Sequence, residues 1–303
     1  MSTLRFLAKR TVEIALCRSG VAAAARRRLR GTAVVLAYHN VVPDGELVRG
    51  DASLHLPQRS FAHQLDLLLR THDVVPLSAL LESPPRNSRP RAVITIDDAT
   101  AGALTAGLEE LVARRLTATY FVAPAFVPFR TFWWDDLDGL SDQQREHALQ
   151  ALVGADPAIR EWARELGIAT GRTPPHQHCG SEEQLAAAVR EGMTLGAHGW
   201  SHRNLAVLSR EELQLELVRP LAWLRDRFSN VVPWVAFPYG RFSTQAVALA
   251  EESGYEGALR IEGGWIGRGV PEISDRYRLP RLNIPAGLTA EGFSLRTAGL
   301  LSR

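Results

Sequence analysis

The run Ala92-Val-Ile-Thr-Ile96 is short, apolar and rich in β-branched residues, and it ends on two adjacent carboxylates, Asp97 and Asp98. Such a run reads as a strand buried on both faces of a parallel sheet, with chemistry at its carboxyl end. A parallel sheet requires strand and helix to alternate along the chain. Neighbouring residues of an extended chain point to opposite sides, so Asp97 and Asp98 are expected to take different jobs, one facing a metal and the other the bond to be broken. By itself the pair would serve equally well as the N-cap of a following helix.

The alternation continues on both sides of that strand. Residues 33–38 read as the first core strand, closing on His39, and strands are expected at 118–122, 194–197, 234–237, 257–260 and 279–284. Between them, helices are expected at 100–115, after the capping boxes at Ser181 and Ser209, and at 243–253. That gives an α/β chain of about seven strands. With 303 residues and 46% hydrophobic content, the length fits two ordinary domains or one α/β barrel. A net charge of +2 is too small for a nucleic-acid footprint, so no nucleic-acid partner is expected. Cys17 and Cys179 stand far apart and suggest neither a disulfide framework nor a zinc ribbon.

A second motif follows the 194–197 run: His198-Gly-Trp-Ser-His202, two imidazoles four residues apart. Two neutral imidazoles and one carboxylate make a three-ligand site with an open position, the pattern of a catalytic zinc. A third motif is Pro238-Tyr239-Gly240. Paired Asp, His-x-x-x-His and Pro-Tyr-Gly, in this order and each behind a strand-like run, resemble the polysaccharide deacetylases of carbohydrate esterase family four, the NodB-homology domain. In that family the paired Asp is usually followed by Gly; here it is followed by Ala99. The resemblance covers about residues 32–285 and implies a distorted (β/α)7-type barrel. It also implies that Asp98, His198 and His202 hold a divalent metal, most simply zinc, that Asp97 is the general base, and that the Tyr239 backbone N–H stabilises the oxyanion. The implied activity is removal of an N-acetyl group from a polysaccharide or lipid-linked sugar. Hydrolysis of another small amide, and a non-catalytic glycan-binding or scaffold role, are the alternatives.

The chain departs further from the family pattern in three places. Ala236 stands where many members carry the Arg that orients the base, Leu279-Pro-Arg281 stands where they carry Leu-x-His, and Glu262-Gly-Gly-Trp265 only partly matches their Asp-x-x-Asp-Trp. Two residues at core-strand ends are candidates for the missing roles. His39 has the chemistry to protonate an amine, its alternative being a structural histidine, and Arg281 could orient Asp97 in place of the lost Arg.

Two segments lie outside the alternation. Residues 124–180 read as a helical insertion, with helices at 142–152 and 158–166 behind the aromatic cluster Phe129, Phe132, Trp133 and Trp134. It is expected to lack a core of its own and to fold over the barrel mouth, its aromatic rings either stacking on sugars or packing together. Residues 1–30 carry eight basic side chains against one acid, Glu13. They read as an N-terminal basic amphipathic helix, ahead of a catalytic domain at 31–303, lying on an anionic membrane or packed on the barrel. With no evident signal-peptide core, a cytoplasmic location, peripheral at the inner face of the membrane, is the expectation.

Overall fold

The computed structural model describes residues 3–85, 88–137 and 139–301, the first six of them as backbone only. Met1, Ser2 and the side chains of Leu4, Arg5, Phe6 and Leu7, all part of the expected basic segment, therefore lie outside the described residues. Six parallel strands stand side by side in chain order: β1 Ala33–Tyr38, β2 Arg91–Ile96, β3 Thr119–Val122, β4 Thr194–Ala197, β5 Val231–Ala236 and β6 Gly257–Leu259. β7, Trp265–Ile266, runs antiparallel to the start of β1, and β8, Leu282–Asn283, runs parallel to its end.

The sheet curls until its two edges meet through one short segment. Leu279 forms a parallel bridge to Leu259 of β6, and three residues later Leu282 pairs with Leu36 of β1. The strand expected over 279–284 is thus reduced to a bridge and two residues, because Pro280 has no N–H to give a ladder. β7 leaves no mark in the sequence, since two residues carry no periodicity.

Side-chain alternation divides the core into two layers. Val34, Leu36, Ala92, Ile94 and Ile96 point outward and pack with Phe61, Leu65 and Leu68 of the helix Gln58–Thr71. Ala33, Val35, Val93, Phe121, Trp234, Ala236 and Leu259 point inward and fill the curl. That interior is narrow. A Cβ on Gly196 would stand 2.6 Å from the Phe121 ring, and one on Gly257 would stand 2.5 Å from Trp234, so both positions need a bare Cα.

The expectation that the insertion lacks a core is overturned. Phe126, Phe132, Trp133, Trp134, Leu137, Ile159 and Ala163 form a buried cluster separate from the barrel's two layers. Stacked aromatics supply the apolar area that the short helices Asp142–Gln150 and Asp156–Glu165 do not, with Phe126–Phe132 centroids at 4.3 Å and Phe132–Trp134 at 4.6 Å. The N-terminal segment also differs from a single helix. It folds as Thr3–Arg18 and Val21–Arg28, broken at Gly20 with φ 80°. Its acid Glu13 is buried and accepts a hydrogen bond from Thr289 Oγ1 at 2.7 Å, while Leu16, Cys17 and Ala25 pack against Leu295 of the last helix, Ala290–Arg296.

Candidate metal centre and active site

The carboxyl ends of the strands deliver the chemical groups. Asp97 continues the inward register of Val93 and Thr95, and its N–H donates to the Tyr38 carbonyl at 2.9 Å. The chain then leaves extended geometry, because Asp98 adopts φ 66° and Ala99 φ 45°. Contrary to the expectation from strand alternation, the left-handed turn and not the pleat sets the two carboxylates apart. It brings both to one cluster: His198 Nε2 lies 3.9 Å from Asp97 Oδ2 and 3.6 Å from Asp98 Oδ1. His202 and Tyr239 also hold positive φ, at 56° and 58°. Four left-handed non-glycine residues at one site are backbone strain concentrated where function needs it.

Asp98, His198 and His202 fit a metal. Their ligand atoms lie within 4.8 Å of one another, with His202 Nε2 3.1 Å from His198 Nε2 and 3.3 Å from Asp98 Oδ1. A tetrahedral zinc with arms of about 2.0–2.1 Å needs ligand edges of about 3.3–3.4 Å. The His198 Nδ1–H donates to the Ala236 carbonyl at 2.8 Å, which fixes the tautomer and leaves Nε2 with its lone pair toward the centre. Burial pulls His198 down to about 4, so the ring is neutral, as a ligand must be. Asp98 Oδ1 is buried without a hydrogen-bond partner, an orphan that a cation would satisfy.

Asp97 is held differently. Arg281 Nη1 and Nη2 donate to its two oxygens at 2.7 and 2.8 Å, and Nη1 also reaches Thr95 Oγ1 at 3.2 Å. Burial alone would raise this carboxyl, but the Arg281 guanidinium, helped by His198 and His39, holds it well below the usual carboxylate range. His39 Nε2 lies 4.0 Å from Asp97 Oδ2, with the side chain 17% exposed toward the cavity. Every residue singled out in the sequence, His39, Asp97, Asp98, His198, His202, Tyr239 and Arg281, lines one cavity of about 290 Å³.

Other supports of the site go unseen in the sequence. Glu216 Oε2 accepts from Trp200 N–H at 2.9 Å and Ser201 N–H at 3.0 Å, pinning the loop between the two histidines. The available sign was an acid inside the buried stripe Leu213, Leu217, Leu221 of the helix Arg210–Arg227. A second buried set joins the barrel to the insertion. His55 Nε2 lies 2.9 Å from Asp135 Oδ1, its Nδ1 lies 3.1 Å from Asn40 Nδ2, and Asn40 Oδ1 accepts from Thr100 Oγ1 at 2.7 Å. Burial raises the Asp135 carboxyl from its ordinary value. Asp135 adjoins Trp134, whose ring stands 4.9 Å from that of His202, while Trp133 Nε1 donates to Tyr239 Oη at 3.1 Å.

An open three-ligand centre beside an arginine-held carboxylate, at the carboxyl end of a curled parallel sheet, defines the class: a metal-assisted hydrolase fold. The family model described as polysaccharide deacetylase matches residues 85–258, more than half the chain, and the chain belongs to that family. Among curated proteins, "Putative polysaccharide deacetylase YxkH" of Bacillus subtilis (strain 168) is 22% identical over 157 residues, 52% of each chain, so the match spans about half the length of that relative. Among solved structures, the polysaccharide deacetylase BC0361 from Bacillus cereus aligns with TM-score 0.62 and 15% identity, over 88% of this chain and 68% of that one. A de-N-acetylase from Aggregatibacter actinomycetemcomitans aligns with TM-score 0.62 and 13% identity, over 88% and 99%. At these identities the structural likeness speaks to the fold.

Proposed function

We propose that the protein is a metal-dependent hydrolase that removes N-acetyl groups from N-acetylated sugars of a polysaccharide or lipid-linked glycan. The observation that carries this reading is the juxtaposition of the Asp98, His198, His202 triad with Asp97, itself clamped by Arg281 and faced by His39 at 4.0 Å. The two-imidazole, one-carboxylate donor set favours zinc. When bound, such a metal supplies Lewis acidity that makes a nucleophile of water near neutral pH and polarises an amide carbonyl.

The residues of this chain do the rest. Asp97, ionised and fixed in plane by the two Arg281 donors, accepts the proton of the attacking water at Oδ2, the oxygen nearer the histidines. The Tyr239 backbone N–H, presented by its left-handed turn, donates to the developing oxyanion. His39 Nε2, 4.0 Å from that same Asp97 oxygen, protonates the leaving amine. Phe132, Trp134 and Tyr239 pack their rings within 5.5 Å of His202 and keep bulk water from that side. The test is acetate release from N-acetylhexosamine oligomers after loading with zinc or cobalt. Failure to bind either metal at one per chain, in folded protein, would sink the reading.

We further propose that the protein works at the cytoplasmic face of an anionic membrane. Among the described residues, Arg27, Arg28 and Arg30 are exposed without an ion pair, and Val12 and Val21 are 58% and 43% exposed on the same segment. No helix of the described residues is long and apolar enough to cross a membrane, so a surface contact is the form that fits. Flotation with liposomes containing anionic lipid tests this. Equal recovery of the full chain and an Arg27→Ala, Arg28→Ala, Arg30→Ala variant would remove the contact.

A further inference from the structure

The wall of the cavity speaks to which sugar of a glycan reacts. The insertion helix Asp142–Gln150 turns Arg145 and Leu149, one turn apart, toward the cavity. Two ion pairs fasten this helix to loops from strands far apart in the sheet. Arg145 Nη1 lies 3.7 Å from Asp51 Oδ2, in the loop that follows β1, and Arg241, just after β5, reaches both oxygens of Glu146 at 3.0 and 2.7 Å. The far end of the helix is tied to the histidine loop, because Asn204 Nδ2 donates to the Leu149 carbonyl at 2.8 Å. From Asp51 through the helix to Arg241 the rim is therefore continuous. On the other side the cavity is bounded only by the ends of core strands, at His39, Ile261 and Asn283.

We infer that the site takes the end of a glycan, one terminal N-acetylated sugar at a time, and not the internal residues of a long chain. The inference rests on the deacetylase activity proposed for this site. An internal residue needs the chain to leave the cavity on two opposite sides, and the rim leaves one. The volume agrees: about 290 Å³ lies at the small end of ligand pockets and suits a single ring with its acetamide. The specificity-determining residues are Asp51, Arg145, Glu146 and Arg241, which hold the rim shut by exposed ion pairs and not by packing.

Zinc-loaded full-length protein is given the β-linked N-acetylglucosamine pentamer, and singly deacetylated products are sequenced by tandem mass spectrometry. The expected result is acetyl loss confined to one terminal residue, at a rate per chain that does not grow from trimer to hexamer. Loss spread over internal positions, with a rate that rises with length, overturns the inference. The Asp51→Asn, Glu146→Gln double variant opens the rim and is expected to raise the internal share roughly tenfold, the scale at which pocket shape discriminates. A double variant that remains confined to the terminus shows that the rim is not the cause and overturns the assignment. No acetate from any oligomer removes the deacetylase reading and this inference with it, whereas acetate from internal positions removes only the inference.

Discussion

Two arginine–carboxylate forks in this molecule have almost the same geometry and opposite surroundings. Arg281 grips Asp97 at 2.7 and 2.8 Å with side chains 1% and 3% exposed, and Arg241 grips Glu146 at 3.0 and 2.7 Å with side chains 31% and 53% exposed. The first sits inside the barrel, where removing one partner strands a charge that water cannot reach. The second sits on the rim, where solvent competes for both partners and the pair is worth little. Like contacts thus make a permanent fixture in one place and a weak fastening in the other.

The comparison breaks most visibly at Arg281. Arg281→Met is expected to cost roughly 3–5 kcal/mol of stability, the usual result of orphaning a buried charge, and to abolish turnover. Urea denaturation checks it, and a midpoint unchanged from wild type would place both forks in one category. Arg281→Lys should rescue little, because a point charge cannot match the planar fork. Next in size is Asp97→Asn, expected to lower turnover about 10²–10⁴-fold while zinc content by elemental analysis stays near one per chain. His39→Gln, with the same readouts, is expected to fall toward the lower end of that general acid–base range, about 10²-fold; turnover equal to wild type would return His39 to a structural role.

Smaller effects sharpen the contrast. Ala99, buried at φ 45°, stands where the family usually has glycine, and Ala99→Gly is expected to gain up to about 1 kcal/mol, relief of the left-handed penalty exceeding the entropic cost of glycine. Arg241→Gln is expected to leave the thermal midpoint indistinguishable from wild type. A clear drop there would mean that the rim is structural and not merely fastened.

What the sequence discloses follows the physics of each signal. β1, β2 and β4 are legible because a continuous apolar run ending in polar groups is what a doubly buried strand demands, and the paired Asp and paired His stand directly behind such runs. Arg281 is reachable only by asking what could replace the arginine absent at Ala236. The turn at Asp98 is illegible because nothing in Asp-Asp-Ala announces positive φ; the surrounding packing imposes it. The His55–Asp135 pair joins residues far apart in the chain, and neither residue has a local pattern that calls for the other. The insertion's core stays hidden because helix length is a poor measure of buried area there: Phe132, Trp133 and Trp134 bury it in the connection before the two helices.

The docking of the N-terminal helices also imposes an order in time. Glu13 finds its partner Thr289 only 276 residues later. At translation speeds of roughly 5–20 residues per second, that is on the order of tens of seconds during which the first helices exist and their seat does not. The barrel strands and the metal ligands are all synthesised in that interval. Closure of the two chain ends against each other is therefore the last event of assembly, and a nascent chain halted before residue 289 carries its basic helices unseated.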